Sequence, residues 1–276
     1  MIQFLGALLF VTGVHGAEAG EARACVEALL QNATHQFGTA RDIADGPVVL
    51  LEGDTRLRLA GLAIPALPRN RDDAIARDSA ASAKAYLRSL ITGSRLRAAP
   101  AIRKDRRGRQ MVQLIAAAEG EGAPKWVQAE MVRAGQARVW PTRRSTACAA
   151  WLLQLEAEAR RAKHGLWALR RNAVVEAWAT RKLRARENTF QLVEGAVQAV
   201  AETKRFTYLN FGKDWRTDFT AAITARTAKR LKNEGFSFAG LKGKRIRVRG
   251  WVRYANGPSI SVSVAEQIEV LDAAPK

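Results

Sequence analysis

The chain has 276 residues with 45 Lys plus Arg against 26 Asp plus Glu, a formal net charge of +19. No apolar run reaches the ~20 residues of a membrane-spanning helix, and two cysteines with three histidines exclude a multi-zinc scaffold. Hydrophobic residues make up 47%, as in a globular protein of one large or two small domains. The charge predicts a polyanionic partner, either nucleic acid or an acidic surface.

Residues 1–19 have the pattern of a signal peptide. An apolar run up to Val14 is followed by small residues, and Ala17-x-Ala19 fits a signal-peptidase site. The basic n-region is missing, and a buried N-terminal helix is the alternative. We expect export to the periplasm or the medium, with no membrane span in the mature chain.

Export would place the two cysteines in an oxidising compartment. An even count there predicts a Cys25–Cys148 disulfide around the first domain. The chain-entropy model gives such a bridge about 4–5 kcal/mol. The alternative is two buried free thiols.

Residues 20–42 precede a first domain, predicted over residues 43–168, that mixes strands and helices. Val48–Leu51 and Leu57–Ala60 flank the turn residues 52–54 and predict a β-hairpin. The further elements predicted along this domain are a helix at Ala76–Ile91, a strand at Met111–Ile115, a helix at Trp126–Ala134 ended by Gly135, and a helix at Thr146–Lys163.

Residues 169–187 are rich in Ala and Arg and predict a basic, partly helical linker. A second domain follows at 188–276, where short alternating segments predict three strands, a helix at Ala225–Asn233, and two or more strands. The predicted strands are Val193–Val200, Phe206–Phe211, Asp218–Thr224, Lys244–Tyr254, Ser259–Val264 and Ile268–Leu271. This order is typical of an OB-fold, a small β-barrel that commonly binds oligonucleotides.

Four motifs in the first domain occur in the order found in one nuclease family. They are residues 45–65 with Asp45-Gly46-Pro47 and Arg58-Leu59-Ala60-Gly61, then 105–109, 132–137, and 156–167 ending in Gly165-Leu166-Trp167. Over residues 43–168 the chain resembles staphylococcal nuclease-like (thermonuclease) domains. The resemblance implies an OB barrel with about three helices, hence a mainly β fold with helices. The pairing with a second, OB-like barrel resembles bacterial exported thermonuclease-family proteins.

The resemblance assigns two arginines to phosphate binding, but it places no acidic residue at the positions of the family's calcium ligands and general base. Arg58 and Arg109 take the family's two arginine positions, and a guanidinium fork matches phosphate oxygens. The family's calcium ligands fall on Pro47 and Ala63, and its general base falls on Ala66. None of these side chains can bind calcium or accept a proton.

Two alternatives would restore acidic groups. Glu52-Gly53-Asp54-Thr55 also resembles the family's Asp-Gly-Asp-Thr motif, but that register leaves no room for the hairpin before Arg58. Asp72, Asp73 and Asp78 could form a relocated site, or they could be a solvated helix start.

The remaining candidate contacts for nucleic acid are basic and aromatic. In the first domain they are Arg103, Lys104, Arg106 and Arg107 of the loop before Arg109. In the second domain they are Tyr208, Phe211, Trp215, Arg216, Arg245, Arg247, Arg249, Trp251 and Arg253. Alternation places the last five on one strand face, which suits single strands, because bases stack on aromatic rings while cations follow phosphates. The alternative is that the aromatic residues belong to the core.

The sequence therefore predicts an exported protein that binds DNA or RNA, single strands among them, through a degenerate nuclease domain without calcium or another cofactor. One alternative is an active nuclease with a rearranged acidic site, which would need calcium or another metal. A second is an envelope scaffold that binds acidic polymers.

Overall fold

The structure is a computed structural model of the chain. It describes residues 24–44, 46, 48–68, 72–98, 103–118, 123–146, 148–254 and 256–271. The predicted signal peptide lies outside the described residues. Within them, no helix combines the length and the apolar character that crossing a bilayer requires.

The first unit is built from two sheets that share one core. Its elements are α1 (residues 24–32), β1 (His35–Gly38), β2 (Asp42–Ala44), β3 (Val48–Leu50), β4 (Arg56–Leu59), β5 (Leu62–Ala63), α2 (Ala74–Ile91), β6 (Ser94–Ala98), β7 (Arg103–Lys104), β8 (Gln110–Val112), β9 (Leu114–Ala118), β10 (Lys125–Trp126), α3 (Val127–Arg133), β11 (Arg138–Val139) and α4 (Ala149–Arg161).

The order of one sheet is β1-β6-β9-β10 and that of the other is β2-β3-β4-β8-β7. Short segments lead from β1 to β2 and from β8 to β9, and the chain also changes sheets between β4 and β6 and between β6 and β7. The two sheets therefore curve around a common interior.

The predicted hairpin is present and fixes the register around Arg58. Val48 lies opposite Arg58, and the amide of Leu51 donates to the carbonyl of Thr55 across the turn. Gly53 and Asp54 occupy the left-handed region at φ of 66° and 57°, which the tight turn requires. Leu57 and Leu59 are buried, so the alternation of β4 points Arg58 away from the core.

Helix α2 begins two residues before its predicted start because Asp73 caps it. The Asp73 carboxylate accepts from the amide of Ala76 at 3.0 Å. The apolar face of α2 then covers the first core with Ala83, Leu87 and Ile91.

The second unit has one long, curved sheet. Its elements are β12 (Val175–Glu176), α5 (Thr180–Arg184), β13 (Phe190–Ala196), β14 (Ala199–Glu202), β15 (Phe206–Asn210), β16 (Thr220–Thr224), α6 (Ala225–Asn233), β17 (Arg245–Tyr254), β18 (Pro258–Ser261) and β19 (Ile268–Val270).

The strand order is β12-β13-β17-β18-β16-β15-β14, with β19 also paired to β17. Only residues 197 and 198 separate β13 from β14, so the two are pieces of one bent strand. In the sheet, however, β13 lies near one end of the strand order and β14 at the other end.

The two units share one feature of their topology. In each, a strand that precedes a central helix pairs in parallel with a strand that follows it. This parallel pair is β4 with β8 around α2 in the first unit and β16 with β18 around α6 in the second. The structure confirms the predicted fold class, mainly β with helices.

Three predicted segments differ in detail. Met111–Ile115 is divided between β8 and β9, and Val193–Val200 between β13 and β14, because each strand bends where it changes partners. The predicted linker at 169–187 contains the short helix α5, and it also contains a strand. β12 pairs with β13, and Val175 and Leu183 are buried in the second core.

The predicted disulfide is present. Cys25 of α1 is bonded to Cys148, the residue before α4, with a Cα–Cα distance of 5.7 Å. The two cysteines are 123 positions apart, so the bridge fastens the N-terminal helix to the far end of the first unit.

Candidate functional site

The basic loop of the first unit turns around one carboxylate. Asp105 Oδ1 accepts from the amides of Arg107 at 2.8 Å and Arg109 at 3.1 Å. Gly108 completes the turn at φ of 73°, a conformation that L side chains rarely adopt. The side chain of Asp105 therefore organises the loop that carries Arg106, Arg107 and Arg109.

The same carboxylate brings Arg58 and Arg109 together. Arg109 donates to Asp105 Oδ2 through Nε at 2.8 Å, with Nη2 at 2.6 Å, and Arg58 Nη1 lies 3.9 Å from that oxygen. Burial raises the pKa of Asp105, but the hydrogen bonds from Arg109 and from the loop amides outweigh it and lower that pKa. Two guanidinium groups thus share one ionised acid, which leaves net positive charge.

Arg58 lies farther from the carboxylate of Asp105 than Arg109 does. Burial lowers the pKa of Arg58, the nearby charge of Arg109 lowers it further, and Asp105 opposes both effects. Because Asp105 is already held by Arg109, a phosphate beside Arg58 would relieve this repulsion.

Arg58 and Asp105 line a pocket of about 340 Å³. Its charged lining residues are Arg58, Lys104, Asp105, Arg106 and Arg144. Trp140 and Thr142 form part of the wall. The excess of cations over the single carboxylate suits an anionic ligand.

Two of the residues that the sequence resemblance assigns to the family's acidic positions offer no ligand for a calcium ion. Ala63 is half-buried and Ala66 is exposed, and neither offers an oxygen ligand from its side chain. Asp105, the acid beside the arginines, has its oxygens occupied by Arg109 and the loop amides. Asp45 and Pro47 lie outside the described residues. In the parts of the chain that the structure describes, no three His, Cys, Asp or Glu side chains lie together in a group that could hold a metal.

The acids suggested for a relocated site have other contacts. The two oxygens of Asp73 accept from Arg171 at 2.6 and 2.8 Å. The hydrogen bonds from Arg171, followed by that from the Ala76 amide, lower the pKa of Asp73 to about 2. Asp78 is exposed on α2. Asp73 is therefore ionised at neutral pH and is held in an ion pair and a helix cap.

The aromatic candidates of the second unit separate into a pocket and a core. Tyr208 and Trp215 line a pocket of about 500 Å³ together with Asn210 and Asn256. Trp215 is 54% exposed, and the guanidinium of Arg216 lies 4.7 Å from its ring centroid. The amide side chains were not found from the sequence, because isolated Asn residues carry no pattern.

Phe211 requires a correction. It is 8% exposed and packs against Phe219 with ring centroids 5.0 Å apart. It follows β15 at the point where the chain turns into the core, so it is a core residue and not a surface for bases.

Arg249 requires a second correction. Its side chain is completely buried between the units, where Nη1 donates to Glu156 Oε2 at 2.7 Å and to the carbonyl of Val139 at 3.0 Å, and Nη2 donates to Glu269. The predicted alternation of β17 is correct, but α4 covers the middle of the basic face.

The other basic residues of β17 have different surroundings. Arg245 pairs with Glu176 at 2.5 Å and Arg247 with Glu269 at 2.9 Å, so both contribute to ion pairs within the second unit. Arg253 is exposed and donates to Asn188. The basic face of β17 therefore reaches the surface at both ends, through the ion-paired Arg245 at one end and through Arg253 at the other.

Trp251 belongs to an aromatic cluster between the units. Its ring lies 6.0 Å from Trp140 and 6.0 Å from Phe190, both edge to face. Arg138 connects the same region by donating to the carbonyl of Phe190 and to Asn172. Trp140 and Arg138 were missed in the sequence because their role depends on the docking of the second unit.

Comparison with known families agrees with this geometry. Residues 56–169 match the family model for staphylococcal nuclease homologues. The first unit therefore contains a staphylococcal nuclease-like domain, and the match includes both Arg58 and Arg109. No curated protein matches the chain.

Proposed function

We propose that this protein is exported and binds nucleic acid through a staphylococcal nuclease-like domain that no longer hydrolyses it. The observation that carries the proposal is the convergence of Arg58 and Arg109 on Asp105, beside alanine at two of the acidic positions. The arginines supply the grip on phosphate, and the missing acids remove the metal and the base. DNA and RNA are both candidate ligands.

Export is supported by the apolar run before Ala17-x-Ala19 and by the disulfide. Expression of the full chain in a bacterial host, followed by fractionation and N-terminal sequencing, tests it. We expect the secreted or periplasmic product to begin at Gly20. Recovery of the uncleaved chain in the cytoplasm would contradict export.

Binding is tested with the mature protein and labelled single- and double-stranded DNA and RNA. Arg58→Ala should weaken binding about tenfold or more, because a charge-assisted hydrogen bond contributes about 1.5–3 kcal/mol. It should also reduce the slope of log affinity against log salt by about 0.7–1. Arg226→Ala, which removes an exposed arginine from α6, is the matched control and should leave both quantities nearly unchanged.

Catalysis is tested in the same samples with calcium and with a chelator. We expect no cleavage above background in either condition. Cleavage that requires a metal and disappears in Arg109→Ala would establish the alternative, an active nuclease with a rearranged site. Salt-insensitive binding would contradict both nucleic-acid functions, since neutralised phosphates must release counterions. Equal affinity for unrelated polyanions would favour the envelope scaffold.

A further inference from the structure

A second, larger cleft lies between the two units. Its volume is about 1210 Å³, and its walls come from residues 63–68 of the first unit and residues 188–190 of the second, with Trp251 and Arg253. Small-molecule pockets are typically about 300–1,000 Å³. The cleft thus has room for an extended oligomer.

The charged groups of the cleft favour an anion. Arg107 and Arg253 are exposed on opposite units, and Asp73 is neutralised by Arg171. Burial lowers the pKa of Arg138 to about 10, so this side chain also remains charged at neutral pH. A narrow space lined mainly by one sign of charge concentrates the field on a polyanionic chain.

The cleft also offers aromatic surface. Trp140, Phe190 and Trp251 all line it, and Trp251 is 39% exposed while Phe190 is buried. The indole of Trp251 is therefore the most exposed of the three rings, and an unpaired base can stack on it. A duplex keeps its bases paired and stacked with one another, so a single strand uses this surface better.

The cleft adjoins the basic pocket of the first unit, which Arg58 and Asp105 line. Trp140 lines both spaces, and the basic loop passes between them, with Arg106 on the pocket and Arg107 on the cleft. The buried contact of Arg249 with Glu156 holds the two walls in place. The path is thus preformed, which reduces the entropy lost on binding.

We propose that one single-stranded nucleic acid runs from the pocket lined by Arg58 and Asp105 through this cleft to Trp251 and Arg253, so that both units bind the same strand. This inference rests on the proposed function. It adds the substrate class, a single strand long enough to reach from one unit to the other, and it assigns Arg107, Arg253 and Trp251 to a continuous site.

Fluorescence anisotropy with labelled oligothymidylates of graded length tests the shared path. The lengths run from a dinucleotide to about 16 nucleotides, the upper range for one OB barrel. With the long oligomer, Arg253→Ala and Arg107→Ala should each weaken binding roughly three- to tenfold and lower the salt slope by about 0.7. Arg253→Lys should retain most of the slope. With the dinucleotide, Arg58→Ala should weaken binding, whereas Arg253→Ala should have no effect. Arg226→Ala is the control at both lengths, and circular dichroism verifies that each variant is folded.

Photo-crosslinking supplies an independent readout. A long oligomer with several 4-thiothymidines should crosslink, in a complex of one strand with one protein, to peptides containing Trp140 and Trp251. If Arg253→Ala and Arg107→Ala bind the long strand like the parent while Arg58→Ala binds it weakly, the shared path is wrong and the proposed function stands. Crosslinks confined to the first unit would likewise show that the shared path is wrong, while the proposed function stands. If no oligomer binds the parent protein while duplex DNA or RNA does, the shared path is again wrong and the proposed function stands; if none of these nucleic acids binds, the proposed function itself fails.

Discussion

The buried contact between the units provides a quantitative test of how they are joined. Arg249 is completely buried, and the side chain of Glu156 opposite it has no exposed surface. Burial alone would lower the pKa of Arg249, but the carboxylates of Glu156 and Glu269 raise it above its ordinary value. The guanidinium is therefore charged, and its removal leaves an uncompensated carboxylate in the interface.

Replacing Arg249 by Met keeps much of the side-chain length and removes the charge. Removing one partner of a buried ion pair typically costs about 3–5 kcal/mol. Glu156 would retain the amide of Val139 at 2.7 Å, and Arg160 at 3.8 Å would compensate part of its charge, so we expect a value near 3 kcal/mol. The double variant Arg249→Met/Glu156→Gln should lose less than the sum of the single changes, by about 1–3 kcal/mol.

Urea unfolding followed by circular dichroism and tryptophan fluorescence measures these differences. The parent should unfold in one transition by both probes, whereas Arg249→Met should show the two units unfolding at different urea concentrations. The exposed arginine of the control, Arg226→Ala, should change stability by less than about 0.5 kcal/mol. If Arg249→Met also changes the free energy of unfolding by less than about 0.5 kcal/mol, and the transitions seen by the two probes coincide, the interface between the units does not depend on this contact.

Three further changes have defined outcomes. Cys25→Ser or Cys148→Ser should lower the free energy of unfolding, measured in urea melts, by about 2–5 kcal/mol. Reductant should have the same effect on the parent protein. An unchanged urea midpoint would contradict a stabilising disulfide. The ion pair of Asp73 with Arg171 lowers the folded-state pKa of Asp73 from 3.8 to about 2. The contribution of this ion pair to folding stability is therefore complete at pH values above the pKa of the unfolded state, and it is lost as the pH falls through about 2. Thermal melts of Asp73→Asn should therefore differ from the parent near neutral pH and converge with it at the acid limit, and a difference that persists there would contradict this linkage. Trp215→Ala should change the free energy of unfolding by less than about 0.5 kcal/mol relative to the parent. It should weaken single-strand binding about fivefold or more, because the exposed ring can stack on a base. Unchanged affinity in the anisotropy assay would show that Trp215 is not part of the binding surface.

Local patterns in the sequence predicted much of the fold because local chemistry determines them. Helix α6 has the predicted bounds Ala225–Asn233, since Thr224 caps it and Leu231 lies on its apolar face. The β3–β4 hairpin follows from the turn at Gly53 and the alternation of β4. The family motifs likewise located Arg58 and Arg109, which the structure brings to one carboxylate.

The predictions that failed depend on contacts between distant segments. Alternation identifies the face of β17 that carries Arg249, but it contains no information that α4 of the other unit covers that face. Phe211 fits both an exposed strand end and a core position, and only the course of the chain after β15 decides between them. Trp140 has no neighbouring pattern, and its importance arises where two spaces meet.

The contact between Glu156 and Arg249 also has a consequence for dividing the chain into its two units. Glu156 precedes its partner by 93 residues, so a first unit produced alone would expose this charged group together with Trp167 and Ala159, which pack against Phe190 and Leu192 in the full chain. This flank of the first unit is covered by the second unit. A chain that stopped at residue 169, where the family match ends, would keep it open permanently.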